Sequence, residues 1–274
     1  MSKPIVVGAD GTPGSEPALE WATAEAHRRS LPILVLHVGD VDDYPAVNSG
    51  SLLKRTHGQR VAAKAVEAVR ARGVSVSSVV IPGHPADVLA SWSTDASMIV
   101  LGSRGLNKTG TAIHGSVGLS VTARARCPVV VVRNALRRRA PVVVGVDGSP
   151  ASGAAIVFAM DYAARRNTWV RAVHAWRRGM LPGSGDLATE RTAHLKVVTD
   201  AMTGVRDRFP SVPVRIARPI GRPADILTDE STAAQLVVVG TRGHGYVSGL
   251  LLGSVSQALL RSANCPLAVI PEER

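Results

Sequence analysis

The sequence predicts two tandem α/β domains, each a Rossmann-like, doubly wound sheet of five parallel strands. Three observations carry that prediction. The chain repeats itself: Asp10-Gly11-Thr12-Pro13 recurs as Asp147-Gly148-Ser149-Pro150 and His37 as His174, both at an offset of 137, while Gly83, Pro85, Ala86, Asp87 and Cys127-Pro128 recur at an offset of 138. One net insertion across so many matched points indicates a duplicated unit. Within each unit, short β-branched runs alternate with helix-compatible stretches, the signature of parallel βαβ construction. The composition fits as well: 45% apolar residues with only 3% aromatic leaves Val, Leu, Ile and Ala to fill the core, as in sheets buried on both faces.

In the first unit, residues 4–9 form a strand and 15–29 a helix with Ser15 or Thr12 near its N-cap. Residues 32–38 are the second strand. The segment 39–50, rich in Asp, Pro and Asn, reads as a loop, and a long helix over 52–72 stops at Gly73, a good residue for a helix C-terminus. Residues 74–81 are a strand, and 85–94 a short helix opened by Pro85. A buried strand over 98–102, a helix over 116–126 and a last strand over 128–133 complete the unit, and 141–270 repeats the series. Domains over 1–136 and 141–274 with a linker at 137–140 follow, and right-handed crossovers join the strands.

The 274 residues carry a formal net charge of +11. The excess is spread over both halves, and the run Arg137-Arg138-Arg139 falls in the linker, where a solvated role is expected. With so few aromatics there is little material for stacking bases, so nucleic acid is a minor alternative and anionic small ligands account for the charge as well. No apolar stretch reaches the roughly 18 residues that span a bilayer. Two cysteines make no disulfide framework, and a cytoplasmic location is the expectation.

The informative motif occurs twice. Gly102-Ser103-Arg104-Gly105 is followed after nine residues by Gly115-Ser116, and Gly240-Thr241-Arg242-Gly243 after nine by Gly253-Ser254. Each follows the fourth strand of its unit and precedes a helix, where free amides meet an anion, so the motif reads as a phosphate-binding loop. Neither a Walker A loop nor a dinucleotide fingerprint is present. Asp10 and Asp147, ending the first strands, repel phosphate and suit a ribose or an adenine amino group, or cap the next helix. In a doubly wound sheet all these positions share the carboxyl edge, where ligands bind.

Strand-one Val-Gly-x-Asp-Gly-Thr/Ser, the Gly-x2-Gly-x9-Gly-Ser spacing and the closing Cys-Pro strand resemble the universal stress protein family, in its tandem, mycobacterial-like form whose members bind ATP. The resemblance covers essentially the whole chain. It implies nucleoside contacts from Gly8, Ala9 and Asp10, and from Gly145, Val146 and Asp147. It implies main-chain adenine contacts at Val38 and Ala175, the latter departing from the usual β-branched residue. Ribose and phosphates fall to Leu101, Gly102, Arg104, Gly105, Gly115, Ser116 and Val117, and to Val239, Gly240, Arg242, Gly243, Gly253, Ser254 and Val255. The ligand it implies is ATP, with or without Mg. It further implies pairing of the two domains through their last strands as an internal pseudo-dimer, a homodimer being a further possibility, and a regulatory protein partner.

No catalytic engine repeats. His37 and His174 end apolar strands, and no second His, Cys or carboxylate is expected to repeat beside both, so they read as structural. His84, matched by Arg222, is a minor phosphate candidate in the first unit alone. Cys127 and Cys265 read as small buried hydrophobes. Ser116 and Ser254 have no matched His and Asp to make them nucleophiles. The expected function is nucleotide-dependent regulation in a stress or dormancy response, without catalysis or a resident metal; the alternatives are a weak ATPase or nucleotide phosphotransferase and, third, a nucleic-acid binder.

Overall fold

In the computed structural model the chain divides into two compact units, Met1–Asn134 and Ala135–Arg274. Residues 2–39, 49–103, 116–133, 139–178, 187–243 and 252–272 are described, the side chains of 49–56 and 116 excepted.

The first unit runs β1 (Ile5–Gly8), α1 (Glu16–Arg29), β2 (Ile33–Gly39), α2 (Ser49–Arg70), β3 (Val76–Pro82), α3 (Pro85–Ser91), β4 (Met98–Gly102), α4 (Ser116–Arg124) and β5 (Val129–Val132). Its sheet has the order β3-β2-β1-β4-β5, and every pairing is parallel. β1 lies between β2 and β4, with Val7 in register with Val35 on one side and Val100 on the other. The chain therefore winds outward in one direction through β2 and β3, then returns to the other side of β1. That reversal makes the crevice at the carboxyl ends of β1 and β4. Ile5, Val6, Val7, Ile99 and Val100 have no exposed surface, which is why these runs carry no polar alternation.

The second unit repeats the plan with β6 (Val142–Gly145), α5 (Pro150–Ala164), β7 (Val170–Val173), α6 (Leu187–Met202), α7 (Val205–Arg208), β8 (Val214–Ala217), α8 (Pro223–Glu230), β9 (Leu236–Gly240), α9 (Ser254–Ser262) and β10 (Leu267–Ile270). β6 lies between β7 and β9, β8 flanks β7, and β10 flanks β9, all in parallel.

The elements differ from expectation in three places. α2 starts at Ser49, inside the segment read as loop. Ser15 holds the N-cap position of α1, but its hydroxyl donates to Thr12 O instead of accepting from the first turn. α7 was not expected: α6 stops at Met202, Gly204 turns the chain at φ 73°, and four residues of helix follow. The net insertion of the second unit lies in this stretch, between His194 and Gly221. Gly73, at φ 75°, closes the long helix of the first unit as expected. Arg139 is exposed; Arg137 and Arg138 lie outside the described residues.

Candidate functional site

Both units build the carboxyl edge of the sheet in the same way. β1 ends at Gly8, and the next residue, Ala9, stays buried and extends the ladder by donating its amide to Leu36 O. Asp10 then bends the chain into a turn, its Oδ1 accepting from the Thr12 amide at 3.0 Å and from the Thr12 hydroxyl. Gly11 takes φ 77°, which a residue with a Cβ adopts only at a cost. In the second unit Val146 donates to Val173 O, Asp147 Oδ1 accepts from Ser149 N at 3.0 Å and Ser149 Oγ at 2.6 Å, and Gly148 stands at φ 85°. Each aspartate thus organises the turn at its strand end. Asp10 is exposed there and Asp147 half-buried.

His37 and His174 tie the second strand to this turn. His37 Nδ1 lies 2.8 Å from Ala9 O, and His174 Nδ1 lies 2.7 Å from Val146 O. A carbonyl only accepts, so Nδ1 carries the hydrogen in both rings. The structural reading of these histidines fits that geometry. Val38 and Ala175, the residues after them, are half-buried at the same edge, and Val38 also packs against the core of the first unit.

Leu101 and Val239 are buried at the ends of β4 and β9. The glycines after them are explained first by the chain itself. A Cβ on Gly102 would collide with Gly14 O, and one on Gly240 would stand 2.8 Å from the Ala151 backbone carbon, so these glycines let the ends of β4 and β9 approach the beginnings of α1 and α5. A Cβ on Gly8 would meet Leu101 Cδ2 at 2.8 Å, and one on Gly145 would meet Leu227 Cδ1 at 3.0 Å. Gly243 differs: a Cβ there would run into the Asp147 carboxylate, which places the start of the loop directly over the strand-one aspartate.

The far end of that loop returns to the same point. Gly253 N donates to Thr241 O at 2.8 Å, and Ser256 Oγ lies 3.2 Å from the same oxygen. Gly253 is the N-cap of α9 and supplies no side-chain hydrogen bond, so the first turn, with Ser254 exposed and Val255 half-buried, opens at this edge without a side-chain cap. Arg242 is half-buried beside it. Of the equivalent set in the first unit, Arg104, Gly105 and Gly115 lie outside the described residues. Ser116 opens α4, and Val117 packs against the core. His84 is an exposed residue at the N-cap of α3 and makes no side-chain cap.

One expectation about the histidines is corrected. A second histidine does repeat, supplied by the long helix of each unit: His57 and His194, each twenty residues beyond its partner and 137 apart. His194 Nδ1 lies 2.8 Å from His174 Nε2, whereas the His57 ring meets His37 edge-on with centroids 6.5 Å apart. Adjacency along the chain conceals the pair. The repeat offset reveals it.

A cavity of about 380 Å³ beside α1 and α2 of the first unit is walled at one end by Ala9, Gly11 and Thr12. A second, of about 560 Å³, is lined by Arg171, Arg218 and Glu230 and not by the strand-end residues Asp147, Val239 or Gly240. No three His, Cys, Asp or Glu side chains come together as a metal cage among the described residues. Burial pushes the Cys127 thiol up to about 12. No described helix is long and apolar enough to cross a membrane.

Comparison with known proteins accords with this arrangement. The sequence profile of the universal stress protein family matches residues 1–133 and again 139–271. The chain is 38% identical to universal stress protein Rv2005c of Mycobacterium tuberculosis, over 98% of its own length and 99% of the relative. It is 33% identical to universal stress protein Rv2623 of the same organism, over 98% and 96%. Its fold is similar to the crystal structure of a universal stress protein from Archaeoglobus fulgidus, with TM-score 0.76, 20% identity, and coverage of 99% and 97%. Two profile matches in tandem, and relatives of full length at these identities, settle the assignment: the chain belongs to the universal stress protein family.

Proposed function

We propose that each unit binds one adenine nucleotide, ATP by preference, at the carboxyl edge of its sheet, and that occupancy regulates a partner protein in a stress or dormancy response. The observation that carries the reading is the composite edge of the second unit. Gly243 at the loop start lies against Asp147, and the loop returns through Gly253, which leaves the α9 N-terminus without a side-chain cap, with Arg242 half-buried and Ser254 exposed in these segments. Unsatisfied amides and the helix dipole favour an anion at α9, and Arg242 suits a charge-assisted bond to phosphate. Asp147 disfavours phosphate at its own end, so the nucleoside belongs beside β6 and the phosphates beside α9. In the first unit the 380 Å³ cavity reaches the matching turn and lies within the usual range of ligand sites, about 300–1,000 Å³.

Binding without turnover is the reading the residues favour. Asp10 and Asp147 are already engaged by their own turns, and among the described residues no three His, Cys, Asp or Glu side chains gather to hold a divalent ion. The regulatory step is a population shift: the nucleotide stabilises the form of the edge that it contacts, and a partner reads the surface of that form.

Calorimetric titration with ATP tests the site. Gly243→Ala forces a methyl group against Asp147 and weakens the second site at least tenfold, about 1.4 kcal/mol. Unchanged affinity in the double variant Gly105→Ala/Gly243→Ala overturns the assignment. Steady-state phosphate release well above background would favour the ATPase instead.

A further inference from the structure

The second unit contains a buried imidazole pair with no role in the nucleotide reading. Its tautomers follow from the partners. His174 Nδ1–H donates to Val146 O, so the neutral ring presents Nε2 as an acceptor. His194 Nδ1–H donates to that Nε2 at 2.8 Å. His194 Nε2 is then left as a bare lone pair, buried and without a hydrogen-bond partner among the described residues. Both rings are more than nine-tenths buried. The His194 ring also stacks on Trp176, centroids 4.4 Å apart at 27°, and the Trp176 indole is fixed by donating to Arg218 O at 3.2 Å. A single chain of contacts thus runs from α6 through two rings to the main chain at the end of β6.

We propose that His174 and His194 form a proton-operated latch that holds α6 to the carboxyl edge of the second sheet, closed while both rings are neutral and released by acidification. The chain of donors has room for one added proton. On His174 Nε2 it would set two N–H groups against each other and break the pair. On His194 Nε2 it would bury a cation where no acceptor among the described residues meets it. The charged groups facing His194 are mixed in sign: Glu190, one turn earlier on α6, favours the proton, while Arg218, beyond β8, and His174, at the end of β7, oppose it. Burial is the largest opposing influence, and the His194 ring is held below the usual histidine range. The sign follows. A ring whose affinity for a proton is lower in the closed form keeps its full stabilising effect above the ordinary histidine value, about 6.5, and loses it as the pH falls below that value.

The first unit is the built-in control. His57 and His37 occupy the same positions of the repeat, but His57 is exposed and makes no hydrogen bond to His37. There Gly58 lies against the His37 ring, where a Cβ would stand 2.7 Å from Cδ2; Leu195 occupies that position in the second unit.

Backbone hydrogen exchange on the full-length, nucleotide-free chain tests the latch, and its outcome does not depend on whether ATP binds. After correction for intrinsic exchange chemistry, protection of α6 is expected to fall up to about tenfold between about pH 7.5 and about pH 5.5, while α2 changes by less than about twofold. His194→Asn removes the His194 proton site, and its amide can donate to neutral His174 Nε2 or, flipped, accept from the protonated ring, so it should abolish the response. If α6 and α2 respond alike, or the variant responds as the wild type does, the latch is overturned. Should the variant not fold, proton NMR of the wild type decides: a His194 ring titrating below the ordinary histidine value, about 6.5, supports the latch, and one titrating at or above it refutes it.

Discussion

Gly102 and Gly153 are both glycines beside a sheet, and they predict opposite outcomes. A Cβ at Gly102 would collide with Gly14 O, whereas one at Gly153, inside α5, meets nothing within 4 Å. Gly102→Ala should therefore cost about 1–3 kcal/mol through overpacking. Gly153→Ala should stabilise by about 0.5–1 kcal/mol, since alanine loses less backbone freedom in a helix. Urea unfolding of both variants checks the pair. The same scale governs Cys127. With its thiol pushed up to about 12, alkylation near pH 8 should run on the order of a thousandfold slower than for a free cysteine and recover on unfolding. The aspartates of the site were legible as strand-end residues. Their engagement with Thr12 and Ser149 was open in the sequence as a cap and is visible in the structure as a turn. The purpose of Gly102 and Gly240 was less legible, because a glycine pattern does not distinguish room for a ligand from room for the chain's own backbone.

Among the elements, the strands were the easiest to read: runs such as Val129–Val132 have one use in a doubly wound α/β unit, burial on both faces. Helix beginnings were harder. α2 starts where Asp, Pro and Asn suggested a loop, and α7 is only four residues, three of them charged, without a periodic stripe to announce it. The caps of α1 and α5 show how similar sequences diverge. Ser149 Oγ accepts from Ser152 N at 3.2 Å, while Ser15 makes no side-chain cap. Ser149→Ala should cost about 1 kcal/mol and Ser15→Ala less than half of that, read as shifts in denaturant midpoint. β7 and α8 are also joined, by a bidentate pair in which Arg171 Nε and Nη2 donate to Glu230 at 2.7 and 2.8 Å. Arg171→Lys keeps the charge and loses the fork, so a loss of roughly 0.5–1.5 kcal/mol is expected despite the conserved sign.

For the whole molecule, duplication is the central fact, and it was legible because two offsets, 137 and 138, link residues in every part of the unit. It makes two sites the natural expectation, and it also shows that the copies are not equivalent. The helix of one copy reaches its histidine through a hydrogen bond and the other through Gly58, a difference that residue identity alone did not announce. The net charge of +11 is the molecule's most conspicuous bulk property, and the proposed function assigns it to anionic small ligands and solvation. Retardation of duplex or single-stranded nucleic acid should therefore be absent at physiological salt, where nonspecific contacts weaken steeply.

The central claim is that an adenine nucleotide binds at the carboxyl edge of both sheets. Backbone amide NMR of the full chain titrated with ATP tests it most directly. Saturable shifts are expected at Asp10 and Val38 and at Asp147, Ala175 and Ser254, with the amino-edge residues Ile5 and Val142 unmoved. Shifts confined to the cavity at Arg171 and Glu230, or none at all, would contradict it.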